Sequence, residues 1–389
     1  MKYDWLESHG RNENLFLLMF FSPLLGASGF WYILFIIYLL FALWHHKERI
    51  SKWGIFYAFL YILFLFEKYD QIPDTGIWFA TAKFYMGWAV VTATLYFSKT
   101  AININKILLL LSAEILFEFL LINTVVPTSI LPNYPKLDNE IMTGSFSRVY
   151  SIGCNATTTS TILIMLLAYR ESLIKRSCLA CSRLQERIIF LLSTFAVVVL
   201  GSGTGFFLFL LLILYKFNLY KLKYVAVLFA LLAGIVAFFI YIKVNEDSLF
   251  QRLSGEYLVF LWDYKLDQIL NLIKQYNVTN IFWGATFKYS KEALVWGDFA
   301  FLEYYISMGV GGIVLFVLYL LKYINRINFF PILIGVIGAF HYGGICTFPG
   351  QLILAYCVLL NKRTLAYYMK PNKKPQIRNY APNMIQKRK

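Results

Sequence analysis

Residues 244–263 read VNEDSLFQRLSGEYLVFLWD and belong to the longest polar stretch of an otherwise apolar chain. That stretch runs from Tyr241 to Glu303, and long apolar runs precede and follow it. A helix of about 20 apolar residues is long enough to cross a lipid bilayer. The sequence therefore predicts an all-α, polytopic transmembrane helical bundle that holds this stretch on one side of the membrane.

The composition also favours a membrane protein. Of the 389 residues, 59% are hydrophobic, and the mean hydropathy is +0.61. Soluble domains average about 45–50% apolar residues. The apolar runs are continuous rather than alternating, which argues against a β-barrel. A net charge of +15 suggests nucleic acid in a soluble protein, but here topology explains it, so we expect no nucleic-acid partner.

The basic residues are concentrated on alternate loops, which hold 26 of the 36 Lys and Arg. The positive-inside rule makes these loops cytoplasmic and predicts a multi-pass protein of the bacterial inner membrane with both termini cytoplasmic. This arrangement needs about twelve spans, so residues 14–44 cross twice; a single kinked span is the alternative. It also needs a tight outer turn at Gly201-Ser-Gly-Thr-Gly205, where glycine reaches positive φ without strain.

The predicted membrane domain covers residues 1–361, and residues 362–389 form a basic cytoplasmic tail. The outer loops of the membrane domain are predicted at residues 128–150 and 244–297. No cleavable signal sequence is expected, because Met1–Asn14 is polar. The other spans are predicted near residues 53–66, 77–97, 107–127, 151–170, 188–200, 205–217, 223–243, 298–322, 330–346 and 350–361.

Two arginines flank points where an outer loop returns to the membrane. Arg148 precedes a span that begins with Asn155 and a run of threonines, and such polar residues normally face a bundle interior or a wet cavity. Arg252 precedes an amphipathic segment in which Trp262 and Leu266 share the apolar face, predicted to lie on the membrane or to pack over the bundle. Each arginine is either an interfacial anchor or a clamp for phosphate oxygens.

Three residues at the outer mouth are candidate proton acceptors. Asp298 and Glu303 are five residues apart, so on a helix they lie on different faces and do not form a close carboxylate pair. Either carboxylate, or His341 at the last outer turn, could accept a proton from a hydroxyl group. Structural roles in ion pairing or hydrogen bonding are the alternatives. Cys178-x-x-Cys181 has no second cysteine pair, so no metal site is expected.

The order of these features resembles a known superfamily. Arg148-x-x-x-x-Gly-x-Asn155 is followed by the small-residue turn, by the large loop with Arg252, and by Asp298 and Met308-Gly-Val-Gly-Gly312. Over roughly residues 110–360 the chain resembles the Wzy-type O-antigen or capsule polymerases of the O-antigen ligase/polymerase superfamily. Thr204 stands where that family often has an arginine. The His-Asn pair often seen in the ligases is missing where Asp298 stands.

This resemblance implies a glycosyltransferase that polymerises lipid-linked repeat units in lipopolysaccharide or capsule biosynthesis. The transfer is inverting and metal-independent, occurs on the periplasmic face, and needs no cofactor. The donor glycan is carried on undecaprenyl diphosphate. Arg148 and Arg252 would bind the diphosphate, and Asn155 and Trp262 would contact substrate. Partners would be the lipid-linked oligosaccharide, membrane lipids and a chain-length regulator protein.

Two other functions stay open. A ligase would attach the glycan to a lipid core, and a flippase or transporter would move the same lipid-linked units across the membrane. Glu114 and Glu118 favour transport, because they lie one turn apart inside a predicted span, where a charged acid costs about 2.5–3.5 kcal/mol. We expect them to be protonated or to face a partner such as Lys83.

Overall fold

The structure is a computed structural model that describes residues 16–25, 102–131, 142–143, 146–176, 182–219, 300–342 and 344–360, with single positions at 56, 59, 92, 179, 259, 263, 266, 267 and 270. This part of the chain is mostly helical, in agreement with the all-α prediction. Its α-helices are α1 (Ile104–Thr124), α2 (Ala156–Ile174), α3 (Arg183–Leu200), α4 (Gly203–Lys216), α5 (Ala300–Tyr323), α6 (Phe329–Ala339) and α7 (Phe348–Leu359).

Short elements connect these helices. Strands β1 (Met142–Thr143) and β2 (Phe146–Ser147) form a small antiparallel hairpin within the loop predicted at residues 128–150. Turns of 3-10 helix occur at Ser22–Leu25, Thr128–Ile130, Ser151–Gly153 and Gly344–Cys346. The helices overlap the corresponding predicted spans, and most ends differ by a few residues because hydropathy does not locate the caps. The predicted span 330–346 is the largest difference, since α6 ends at Ala339 and a separate 3-10 turn follows at Gly344–Cys346.

Helix α2 lies at the centre of the described bundle. Every residue from Ala156 to Leu173 is buried, and α2 packs against α1, α3, α4, α6 and α7. A helix that is surrounded on all sides has no polar face, which explains why its sequence shows no amphipathic period. Within the described residues the packing is thus organised around α2, whereas the sequence drew attention to the polar stretch 241–303.

Side-chain contacts give the directions of the helices. Arg170, near the end of α2, donates through Nε to Oδ1 of Asn105 at the start of α1, over 2.7 Å. Lys216, at the end of α4, donates to Glu171 at 2.8 Å and to Glu186 near the start of α3 at 2.7 Å. Helices α2 and α4 therefore end where α1 and α3 begin. We call this the basic end, defined by Arg170, Lys175, Arg176, Arg183, Lys216 and Arg326.

The opposite end carries hydroxyl groups. The Thr157 hydroxyl at the start of α2 bonds the Ser202 hydroxyl, the N-cap of α4, over 2.9 Å. Gly201, directly before Ser202, ends α3 with φ 56 and ψ 35, a left-handed conformation that suits glycine. A tight turn is therefore confirmed within the predicted run Gly201–Gly205, but it is confined to Gly201 and Ser202, because α4 begins at Gly203. We call this region the hydroxyl end, defined by Arg148, Asn155, Thr157, Ser202, Thr204 and His341.

Helix α5 contains a break at Gly309, where φ is 65 and ψ is −170. Only glycine adopts this conformation without strain, because a side chain would collide with its own backbone. The break lies in the Met308–Gly312 motif. The break divides the 24 residues of α5 into two parts. The apolar part is Gly309–Tyr323.

Within the described residues, α1 is long and apolar enough to cross a membrane, whereas α4, α6, α7 and Gly309–Tyr323 are apolar but shorter. Three helices also expose apolar side chains at helical spacing. These are Leu110, Phe117 and Leu120 on α1, Leu184, Ile188, Leu191 and Phe195 on α3, and Val310, Val314, Val317 and Leu321 on α5. The total of twelve spans stays a prediction.

Several predicted features fall largely outside the described residues. The crossing of residues 14–44 is described only at 16–25, and the tail 362–389 is not described. In the loop 244–297, positions 259, 263, 266, 267 and 270 are helical and exposed. Leu266, assigned to the apolar face of the predicted amphipathic helix, is 44% exposed.

Candidate functional site

The chain enters α2 through a tightly bent segment. Ser151 and Cys154 have positive φ values of 48 and 52. Each non-glycine residue in this region costs about 1–3 kcal/mol and persists only where its surroundings hold it. The Thr159 hydroxyl does so by donating to the carbonyl of Tyr150 at 2.6 Å and accepting from the backbone N–H of Gly153 at 3.0 Å.

Asn155, predicted to contact substrate, caps α2. Its side-chain oxygen accepts from the backbone N–H of Thr157 over 2.8 Å, and its extended backbone is typical of an N-cap. One side of this amide thus has a structural role. Of the polar residues predicted to face a bundle interior or a wet cavity, residues 157–160 are buried, as is Thr161 after them, whereas Asn155 is half-buried.

This polar run also packs closely against two glycines. A Cβ on Gly205 would lie 2.7 Å from Cβ of Ser160, and a Cβ on Gly338 would lie 2.5 Å from Cγ2 of Thr161. The Ser160 and Thr161 hydroxyls donate back to the carbonyls of the preceding helical turn, at 2.7 and 2.9 Å. Helices α4 and α6 therefore approach the start of α2 as closely as their backbones allow.

Arg148 lies directly before this segment and is 7% exposed. Its neighbour Ser147 is held by Asn123 on α1, which accepts from the Ser147 N–H at 2.7 Å and donates to the Ser147 carbonyl at 3.1 Å. On the other side, Glu118 accepts from the backbone N–H groups of Tyr150 and Ser151 at 3.3 and 3.1 Å. The backbone that carries Arg148 is thus held to α1 on both sides.

Glu118 and Glu114 both bind the segment that leads into α2. Glu114 accepts from the Ser151 hydroxyl at 2.5 Å, in addition to the backbone contacts of Glu118. Glu118 lies six residues before the end of α1, about 9 Å along its axis, and Glu114 lies at the middle of the helix. The two acids hold the bent segment. The expected partner Lys83 lies outside the described residues.

His341 and Thr204 meet at the hydroxyl end. Nδ1 of His341 and Oγ1 of Thr204 are 2.6 Å apart, although 137 residues separate them in the chain. The ring of Tyr342 stands edge-on to the imidazole, with ring centroids 4.6 Å apart. The sequence placed both residues on the outer side, but Thr204 was noted only as a departure from a family pattern. No local signal identifies this pair.

The remaining predicted site residues are not brought into the described site. Arg252, Trp262 and Asp298 lie outside the described residues. Glu303 belongs to α5, and the structure describes only its place in that helix. In the part of the chain that is described, no group of three His, Cys, Asp or Glu side chains could hold a metal ion.

Replacing Glu118 should loosen the segment before α2. In Glu118→Ala the buried N–H groups of Tyr150 and Ser151 lose their acceptor, and each unsatisfied group costs about 1–3 kcal/mol. Glu118→Gln keeps an oxygen at the same position and should unfold close to the wild-type temperature. Thermal unfolding of the purified protein in detergent measures both changes. A glutamine variant as unstable as the alanine variant would show that the charge, rather than the acceptor, is required.

The site thus combines a buried arginine, a hydrogen-bonded histidine and a helix start rich in hydroxyl groups at one end of an apolar bundle. Comparison of the chain with protein-family models, with curated proteins and with solved structures finds no match in any of the three.

Proposed function

We propose that this protein is an inner-membrane glycosyltransferase that polymerises undecaprenyl-diphosphate-linked oligosaccharide repeat units for O-antigen or capsule, as the sequence resemblance implies. The observation that carries the proposal is the placement of Arg148 and His341 at the same end of the bundle. Thr204 bonds His341, and Ser202 bonds Thr157 at the start of α2, which Arg148 precedes. A cation for a diphosphate and a base for a hydroxyl are the two groups that such a transfer needs.

The exposed apolar stripes support a location in the membrane. Phe117 on α1 is 62% exposed and Leu191 on α3 is 58% exposed. Large apolar patches on a protein surface mark contact with a membrane or a partner. Stripes on three helices of one bundle fit a hydrocarbon environment, which also offers a place for the polyprenyl chains of donor and acceptor.

The chemistry follows from these two groups. A hydroxyl of the acceptor sugar attacks the anomeric carbon of the donor and forms a new C–O bond. The C–O bond to the diphosphate breaks, and the diphosphate leaves with the electron pair, inverting the anomeric centre. His341 takes the proton of the hydroxyl. Arg148, with the predicted second cation Arg252, neutralises the charge that develops on the leaving diphosphate.

The contacts of Glu114 and Glu118 weaken the case for transport. Both acids favoured that function because they lie inside a predicted span. The Ser151 hydroxyl donates to Glu114, and the N–H groups of Tyr150 and Ser151 donate to Glu118, so both side chains also have a structural role.

Surface glycan from a deletion strain tests the proposal. Loss of a polymerase should leave glycan with a single repeat unit, which one gel of the extracted material shows. Long chains that are not attached to the lipid core would identify a ligase instead. Complete absence of surface glycan would identify a flippase. The purified protein in vesicles should also lengthen lipid-linked repeat units without added metal or nucleotide sugar.

Arg148 should not tolerate lysine. A guanidinium offers two parallel donors to a diphosphate, and an ammonium group does not reproduce that planar fork. Both Arg148→Ala and Arg148→Lys should slow polymerisation by at least about tenfold, since a hydrogen bond to a charged group contributes about 1.5–3 kcal/mol. Arg187→Lys makes the same change at an exposed position near the basic end and should leave the rate unchanged. If Arg148→Lys still produces long glycan chains, Arg148 is only an interfacial anchor.

A further inference from the structure

We propose that Thr204 is a positioning residue that holds the His341 imidazole with its Nε2 lone pair directed at the acceptor hydroxyl. The inference rests on the proposed function, because it assigns His341 the role of base. It differs from the family pattern, which often has an arginine at this point of the turn. It gives the hydroxyl of Thr204 a task that the sequence did not indicate.

The backbone of Thr204 is firmly placed. Thr204 is the second residue of α4, and Ser202 caps that helix by accepting from the Gly205 N–H over 3.2 Å. The same Ser202 hydroxyl bonds Thr157 on α2. Because threonine is branched at Cβ, its side chain has few rotamers, so a fixed backbone gives a nearly fixed hydroxyl.

The backbone of His341 is also held, but by a different helix. The N–H groups of His341 and Tyr342 both donate to the Gly338 carbonyl at the end of α6, over 3.2 and 3.0 Å. Gly338 itself packs against Thr161 of α2. The backbones of Thr204 and His341 are therefore both held in place by contacts with α2. The hydrogen bond between their side chains then sets the rotation of the imidazole ring.

In the tautomer that a base needs, Nδ1–H is the donor of this bond and Oγ1 of Thr204 is the acceptor. A neutral imidazole has one N–H and one acceptor nitrogen. When Nδ1–H donates to Oγ1 of Thr204, Nε2 carries the lone pair and can take the proton of the acceptor hydroxyl as the new C–O bond forms. The resulting imidazolium keeps its Nδ1–H bond to Thr204, which is strengthened by the positive charge.

Kinetics of three variants of the full-length protein in vesicles test the inference, with lipid-linked repeat units as substrate. Thr204→Val should lower kcat by about ten- to a hundredfold with little change in KM, because it removes a hydrogen bond to a charged group. Thr204→Ser keeps the hydroxyl and should restore kcat.

Thr194→Val is the matched control. Its hydroxyl donates to the Phe190 carbonyl within α3 at 2.7 Å, so it loses the same chemical group away from the site. We expect wild-type kcat. If Thr204→Val behaves in the same way, the positioning role of Thr204 is wrong.

A spectroscopic measurement avoids dependence on the folding of any variant. In ¹⁵N-histidine-labelled wild-type protein, with the signal assigned by His341→Gln, neutral His341 should carry its proton on Nδ1. A proton on Nε2 would overturn the inference. The proposed function fails separately: wild-type protein that forms no polymer in vesicles rejects the glycosyltransferase whatever the tautomer, whereas active protein with the wrong tautomer rejects only the role of Thr204.

Discussion

His341→Ala should lower the polymerisation rate by about 10²–10⁴-fold, the usual effect of removing a general base. His341 lies at the hydroxyl end within 2.6 Å of Thr204 and belongs to the same end of the bundle as Arg148. The loss should appear in kcat, measured with lipid-linked repeat units in vesicles, and the protein should remain folded.

His45→Ala is a suitable control, because it removes a histidine from a loop predicted to be cytoplasmic. It should polymerise at the wild-type rate. Wild-type activity of His341→Ala would instead direct the search for the base to Asp298 and Glu303, the two acids predicted at the outer mouth. Asp298→Asn, which keeps the shape of the side chain and removes its basicity, would then be the decisive variant.

Glu171→Leu should produce the largest loss of stability. Glu171 accepts from Arg170 at 3.3 Å and from Lys216 at 2.8 Å, and the side chains of Arg170 and Glu171 are 1% and 5% exposed. Without this carboxylate, the buried Arg170 and the nearby Lys216 lose the negative charge that they share. Breaking a buried ion pair from one side costs about 3–5 kcal/mol, because the remaining charge is unsatisfied. Thermal unfolding in detergent should show a much lower midpoint.

Glu186→Gln is the matched control. Glu186 also binds Lys216, over 2.7 Å, but its side chain is 37% exposed. Solvent screens such a pair, so its removal should cost at most about 1 kcal/mol. Equal losses in the two variants would mean that burial of Glu171 does not set the strength of the network at the basic end.

Local sequence patterns were sufficient for some features of the fold. Apolar runs predicted where the described helices occur. A helix satisfies its own backbone hydrogen bonds, so the composition and length of one segment are enough to predict it. The turn at Gly201 was also predictable, since a small-residue run between two apolar segments favours positive φ. The alternation of loops placed Arg170 and Lys216 on the same side, and the structure puts both at the basic end.

The candidate site was predictable only as separate residues. Arg148, Asn155 and His341 were recognised by type and by position near a predicted outer loop. Their partners were not, because Glu118 and Ser151 are 33 residues apart and Thr204 and His341 are 137 apart. Glu118 favoured a transport function for the same reason. Its neighbouring residues show only an acid in an apolar run, and they do not indicate its contact with Tyr150.

The sequence by itself was enough to predict the all-α fold, since hydropathy acts on each segment through the solvent around it, and the alternation of the loops stays a prediction from charge. Tertiary structure decided which helix is central and which side chains meet. Helix α2 shows no amphipathic pattern because it is enclosed on every side, so only packing reveals its place. The contacts of Arg148, Glu118, Thr204 and His341 depend on the close approach of α1, α4 and α6 to α2, and that approach is a property of the assembled bundle.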